Sequence, residues 1–193
     1  MLSSRWRDNL KVKSHRLYII NRKQNRGGKV WTSGSMKTKS TFKYGFFECK
    51  MKISKASGVN NSFWLYCTNP SSSDGHFFEI DIIEGHYPNE YNSNIHDNGI
   101  KGNQYVKQNS KQYYVSPNLY DQFHIFGLDW GQQYLKFYID GNLVRTEKNT
   151  CCFDPASLIL GTAVMIWAGK VTNSIDKTSM IVDYVRVFKR NGE

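Results

Sequence analysis

Apolar residues along the chain come in short runs and every-other-residue alternations, and no stretch keeps the three-and-four spacing of an amphipathic helix over three turns. Eight runs stand out: "RLYIIN", "YGFFECKMKI", "SFWLYC", "FFEIDIIE", "FHIFGLDW", "YLKFYIDG", "SLILGTAVMIW" and "MIVDYVRVFK". Turn-forming residues separate them at Gly27-Gly28, Ser57-Gly58, the cluster "NPSSSDG" at 69–75, Asn98-Gly99, Asp140-Gly141 and Asn173. The clearest local unit is "YIDGNLVR", where Asp-Gly between two alternating segments predicts a hairpin with a two-residue turn. The pattern predicts an all-β protein, a jelly-roll sandwich of two curved antiparallel sheets that leaves one broad concave face for a ligand. The 193 residues show no linker and no internal repeat, so a single domain over 1–193 is predicted.

Composition narrows the class of ligand. Aromatic residues make up 15% of the chain, with 12 Tyr, 11 Phe and 5 Trp, which suits sheets and sugar-binding surfaces. Lys and Arg number 26 against 16 Asp and Glu, a formal charge of +10 that favours a polyanionic partner. The basic residues are scattered, denser only at 5–23 and 37–52, and no nucleic-acid-binding motif accompanies them, so no nucleic-acid partner is expected. A solvated basic surface accounts for the charge equally well. Cys49, Cys67, Cys151 and Cys152 lack metal-ligand spacing and read as small buried thiols, the adjacent pair pointing to opposite faces if its segment is extended. No apolar run approaches the roughly 18 residues of a membrane span, and "MLSSRWRDNL" lacks the apolar middle of a signal peptide.

The chemistry concentrates in "HFFEIDIIEGH", residues 76–86, where Glu79, Asp81 and Glu84 interrupt a buried strand. Residues two apart share a face, so Glu79 and Asp81 project together while Ile80 and Ile82 turn inward. Strict alternation would bury Glu84 at a cost of several kcal/mol, whereas one extra residue at Ile82-Ile83, a β-bulge, returns it to the acid face. The outer glutamates would then stand near the roughly 5 to 5.5 Å separation that retaining glycoside hydrolysis uses. One would attack the anomeric carbon; the other, held protonated by its neighbours' charge, would protonate the leaving oxygen and then activate water. Pairing with basic residues on a neighbouring strand, or a Ca²⁺ site, is the plainer explanation of three acids.

"EIDIIE" resembles the bulged E-x-D-x-x-E signature of glycoside hydrolase family 16. "YGFFECKMKI", "SFWLYC", "FHIFGLDWGQQYLKFYIDGNLV" and "MIVDYVRVF" resemble that family's other strands, in its order, over about residues 30–188. The resemblance implies a jelly roll with a cleft on the concave face and endo-acting, retaining cleavage of β-linked glucans or galactans. It assigns Glu79 as nucleophile, Asp81 as the assisting aspartate and Glu84 as acid/base. It makes Trp64 a sugar platform on a neighbouring strand, with Phe63 filling the core, although a lone Trp in such a strand is more often core. It sets His96 beside the catalytic aspartate, where an ordinary structural histidine is as good a reading. Trp31, Trp167 and Tyr87 are further candidate platforms.

Departures from the family pattern bear on substrate. Where laminarinases and lichenase-like glucanases carry Trp-Pro, this chain has Asn60 and Asn61, which is similar to the agarase, porphyranase and carrageenase branches. With the basic charge, this favours a red-algal-type galactan, sulfated ones included, over a β-1,3 or mixed-linkage glucan, with Asn60 as a substrate contact. A non-catalytic carbohydrate-binding jelly roll would be expected to lose an outer glutamate. A transglycosylase would keep the same acids. The family's Asp-Glu-Phe first strand has no counterpart, and of its calcium site only Asp183 has a match; no cofactor is expected to be required, and no catalytic metal. A monomer acting outside the cell, in the periplasm or at the cell surface is expected.

Overall fold

The computed structural model describes residues 1–71, 74–115 and 118–189. Among them are sixteen strands and three single-turn 3₁₀ segments, and no α-helix. Seven strands form one antiparallel sheet in the order Asn142–Lys148, Tyr134–Ile139, His124–Trp130, Gly45–Lys52, Ser179–Phe188, Arg16–Ile20 and Leu10–Lys13. Six form a second, in the order Lys107–Tyr114, Glu90–Ile100, His76–His86, Val59–Cys67, Ala156–Val164 and Ser35–Phe42. The two sheets pack on one hydrophobic core. This is the predicted all-β sandwich. Gly45–Lys52 displays its logic: Phe47, Cys49 and Met51 are fully buried while Phe46, Glu48, Lys50 and Lys52 turn outward. The expected hairpin closes at Asp140 (φ 50°) and Gly141 (φ 80°), the paired positive φ of a type I′ turn.

Core packing fixes the acidic strand. Phe78, Ile80, Ile82 and Ile83 are fully buried, each contributing about 2 kcal/mol of burial free energy. Phe78 meets Trp130 of the other sheet edge-on at 5.7 Å, and the Trp130 indole nitrogen donates to the Cys152 carbonyl at 3.0 Å. Register shows the bulge directly. Phe63 pairs with Ile83 and Trp64 with Asp81, while on the other side Asn92 pairs with Glu84 and Asn94 with Asp81, so Ile82 is the extra residue. A bulge leaves a ladder group unpaired. Here the Tyr91 hydroxyl donates to the Ile82 carbonyl at 2.9 Å.

Behind the bulge lies Arg145, its side chain fully buried. It donates to the Ser93 carbonyl and hydroxyl, each at 2.9 Å, and to the Asn109 carbonyl at 2.7 Å, and it pairs with Glu147 at 3.1 Å. These bonds hold the two outer strands of the six-stranded sheet against the hairpin of the other. Arg145→Leu strips four acceptors of their donor, and we expect a loss of about 3 kcal/mol in urea denaturation. A loss below about 0.5 kcal/mol would show that the outer strands are held by something else.

Three further strands form a small sheet in the order Ser3–Arg5, Lys29–Ser33 and Arg22–Arg26, the first pair parallel. The buried Ser3 hydroxyl lies 3.0 Å from the Ser33 hydroxyl and accepts from the Val164 amide at 3.0 Å, docking this sheet beside the six-stranded one. The cysteines are all free and buried. Cys151 and Cys152 lie in a bend, not a strand, which brings their sulfurs to 3.5 Å where an extended segment would have turned them apart. Ser72 and Ser73 of the loop at 69–75 lie outside the described residues.

Candidate active site

The bulge lets Glu79, Asp81 and Glu84 line one cavity of about 430 Å³ on the face of the six-stranded sheet, with Trp64, Asn60, His96, Trp167 and Arg5 around them. Asp81 is almost fully buried, and Glu79 keeps 27% of its side chain exposed. The His96 Nε2 atom lies 3.2 Å from Asp81 Oδ2 and 3.9 Å from Glu79 Oε1. Asn60 Nδ2 donates to Glu84 Oε1 at 2.8 Å. The partners of the acids are thus an imidazole, an amide and one another, and among the described residues no lysine or arginine forms an ion pair with them.

Electrostatics couples the first two acids. Burial pushes Glu79 up to about 8, with the negative charge of Asp81 adding to it and the charge on His96 opposing. Burial pushes Asp81 well above the usual carboxylate range, and Glu84 adds to that. The contact between the two side chains raises Glu79 and lowers Asp81, so the two titrate as one coupled pair. Glu79, Asp81 and His96 also offer three ligand atoms within 4.8 Å of one another, the set that could hold a metal among the described residues.

The other residues singled out from sequence divide cleanly. Trp64 lines the cavity with its ring 5.5 Å from Tyr66, while Phe63 is fully buried behind it. Trp167 lines the cavity and is 55% exposed. Trp31 is not brought there: it is 4% exposed, packed in a small apolar cluster with Ala56, Val59, Val164 and Ile175. Tyr87 is also elsewhere, packed against the core with its ring 4.9 Å from Tyr120. Asp183 is paired with Arg16 at 3.2 Å and Lys50 at 3.0 Å, so two cations occupy the carboxylate that a calcium ion would need. Asn61 is fully buried and accepts from the Ser54 amide at 2.9 Å, which makes it a support of the strand.

Sequence reading missed Arg5, Ser62, Asn94, Gln108 and Met165 of the lining, and His86 behind it. Arg5 reaches the cavity from the small sheet. Burial lowers its pKa and the charge of Glu79 opposes that, which marks the guanidinium as a cation close to the acids. Nothing in "SSRWR" announces this. His86 was within reach, because it lies two residues past Glu84 on the same strand face.

Residues 3–186 match the family model for glycosyl hydrolases family 16. The chain belongs to this family. Among its curated relatives, a beta-glucanase of Acetivibrio thermocellus is 31% identical over 149 residues, 75% of this chain and 42% of the relative. A kappa-carrageenase of Pseudoalteromonas carrageenovora is 26% identical over 189 residues, 84% of this chain and 48% of the relative. The chain thus spans about half the length of the curated relatives it matches. Among solved structures, the laminarinase catalytic domain from Thermotoga maritima superposes with a TM-score of 0.82 at 25% identity, covering 98% of this chain and 83% of that one. Relatives named beta-glucanase and kappa-carrageenase thus stand side by side.

Proposed function

We propose that this chain is an endo-acting, retaining glycoside hydrolase that cleaves a β-linked galactan carrying anionic groups. The observation that carries the reading is the one-residue bulge at Ile82, which ranges three carboxyls along a single cavity. Glu79 attacks the anomeric carbon and Glu84 protonates the departing oxygen, leaving a glycosyl ester on Glu79. Glu84 then takes a proton from water, which releases the sugar with its configuration retained. Glu79 and Asp81 titrate as one pair, and Glu79 attacks from the form in which their proton sits on Asp81, the more deeply buried of the two. His96 reaches both carboxyls and positions them.

Three features support a galactan with anionic groups. Asn60 and Asn61 are engaged by Glu84 and the Ser54 amide, so the place where glucan-type relatives carry Trp-Pro offers no aromatic platform. Arg5 stands in the cavity as a cation suited to a sulfate or carboxylate. The whole chain carries +10. A second reading, a β-glucanase, is favoured by the name of the Acetivibrio relative at 31% identity. A reducing-end release assay on agarose, porphyran, carrageenans, laminarin and mixed-linkage β-glucan, run beside Glu79→Gln, separates the two. Release from a galactan by the wild type alone supports the proposal; release from glucans alone keeps the mechanism and overturns the substrate.

Trp64 and Trp167 supply the apolar faces on which sugar rings stack. Stacking on an aromatic ring contributes on the order of 1 kcal/mol. Trp167→Ala is therefore expected to raise KM by roughly 5- to 10-fold and to leave kcat within about twofold, because the ring binds without touching the reacting atoms. An unchanged KM would remove Trp167 from the substrate path.

A further inference from the structure

Glu84 does not stand alone in its wall of the cavity. Asn60 Nδ2 donates to its Oε1 atom at 2.8 Å, and the other end of the same amide, Oδ1, lies 3.2 Å from His86 Nε2. The opposite ring nitrogen of His86 lies 2.8 Å from Glu90 Oε1. Asn92 Nδ2 donates to that same Glu90 oxygen at 2.8 Å. Burial would push Glu90 up, but the hydrogen bonds from His86 and Asn92 outweigh it and hold the carboxyl below its usual range. The chain of contacts therefore runs Glu90, His86, Asn60, Glu84, from an anchored carboxylate to the acid at the cavity. Asn60 is 7% exposed and His86 4%, so solvent has little access to the contact between them.

Geometry along the strand explains why the chain can exist. After the bulge at Ile82, Glu84 and His86 share a face. The intervening Gly85 has no room for a side chain, since a Cβ there would lie 2.8 Å from Ile53 Cγ2. The His86 ring also meets the Trp167 ring edge-on at 5.3 Å, so one imidazole touches both the acid's partner and the exposed aromatic wall.

An amide is nearly symmetric in shape, so packing alone does not decide which end of Asn60 faces Glu84. A flipped amide would set an oxygen against a carboxylate oxygen, which is repulsive. His86 removes the ambiguity. His86 Nε2 faces the amide, and a hydrogen on it can be received only by the amide oxygen, which turns Nδ2 toward Glu84.

We propose that His86 and Asn60 are positioning residues for Glu84: Glu90 orients His86, His86 locks the Asn60 amide, and Asn60 occupies Oε1, leaving Oε2 to carry the proton that is transferred. This rests on the reading of Glu84 as the acid/base. Oε1, already accepting a hydrogen bond, is the poorer seat for that proton. In the first step the proton passes from Oε2 to the glycosidic oxygen as the anomeric carbon–oxygen bond breaks; in the second, Oε2 takes a proton from water.

The test compares kcat/KM on two substrates, the natural polysaccharide, whose leaving group needs a proton, and a dinitrophenyl oligosaccharide, whose leaving group does not. His86→Leu and Asn60→Ala are each expected to lower kcat/KM on the polysaccharide by roughly 10- to 100-fold, up to the lower end of what a positioned acid contributes, and to leave the dinitrophenyl value within about twofold. His86→Gln, which keeps a donor toward Asn60, is expected to recover part of the loss. Asn60→Ala truncates a side chain in place and keeps the test valid should His86→Leu melt early. Equal losses on both substrates, or no loss on either, would overturn the proposal. Glu84→Ala run alongside separates the two layers: if it fails to show the same substrate split, the acid/base reading itself is at fault; if it shows the split and the His86 and Asn60 variants do not, only this inference falls.

Discussion

Glu79→Gln is expected to abolish polysaccharide hydrolysis, lowering kcat by at least about 10⁴-fold while the protein stays folded and binds oligosaccharide. The amide keeps the shape of the carboxyl and loses its nucleophilicity. In the wild type, an activated 2-fluoro oligosaccharide should trap the glycosyl ester, adding mass to the peptide that contains Glu79. Label elsewhere, or activity in the variant within tenfold of wild type, would sink the assignment. The same variant carries a signature in stability. Glu79 titrates near 8 in the folded protein against a carboxyl's ordinary 4.5, so the folded state holds a proton that the unfolded chain has already released. Stability is therefore full below about pH 4.5 and falls as the pH rises toward 8. Solvent reaching a side chain that is 27% exposed cuts the full linkage, and a loss of about 2 kcal/mol over that window is expected. Glu79→Gln should flatten the decline in thermal melts. An equally steep decline in the variant would place the raised titration on another group.

What was legible in the sequence, and what was not, follows from what each strand faces. The acidic strand declared its own bulge, because burying Glu84 would have cost more than breaking the ladder, and Ile82 is the extra residue. Strands between core and solvent announced themselves by alternation, as in Gly45–Lys52. Glu90–Ile100 and Lys107–Tyr114 did not, since the first lays polar side chains along the cavity sheet and the second is an exposed edge. Trp64 could be oriented because Phe63 beside it needed the core. Trp31 in "VWTS" had no such neighbour, and its burial depends on Ala56, Val59, Val164 and Ile175, which only the fold brings together. Arg5 was silent for the same reason, its strand being docked through the Ser3 hydroxyl. His86 could have been found by carrying the two-residue rule one step beyond Glu84.

Glu84→Ala separates the two glutamates by the chemistry each leaves behind. Removing the acid/base is expected to lower kcat/KM on the polysaccharide by about 10³- to 10⁴-fold, because the leaving oxygen must depart without a proton. An aryl glycoside with a good leaving group still forms the ester on Glu79, and the ester then persists for want of a base to activate water. Added azide needs no base. It attacks the anomeric carbon of the ester, displaces the Glu79 carboxylate and leaves as a glycosyl azide, with turnover restored and two inversions summing to retained β configuration. The cavity has room for so small an anion once the side chain is trimmed, and Asn60, which donates to Glu84 Oε1 in the intact site, is left free to receive it. A glycosyl azide of α configuration would mean that azide had attacked the substrate directly, with Glu84 and not Glu79 as the lost nucleophile. No rescue at all, with the fold intact, would remove Glu84 from the second step. The β product alone is consistent with attack by Glu79 from one face of the sugar and protonation by Glu84, two strand positions past the bulge.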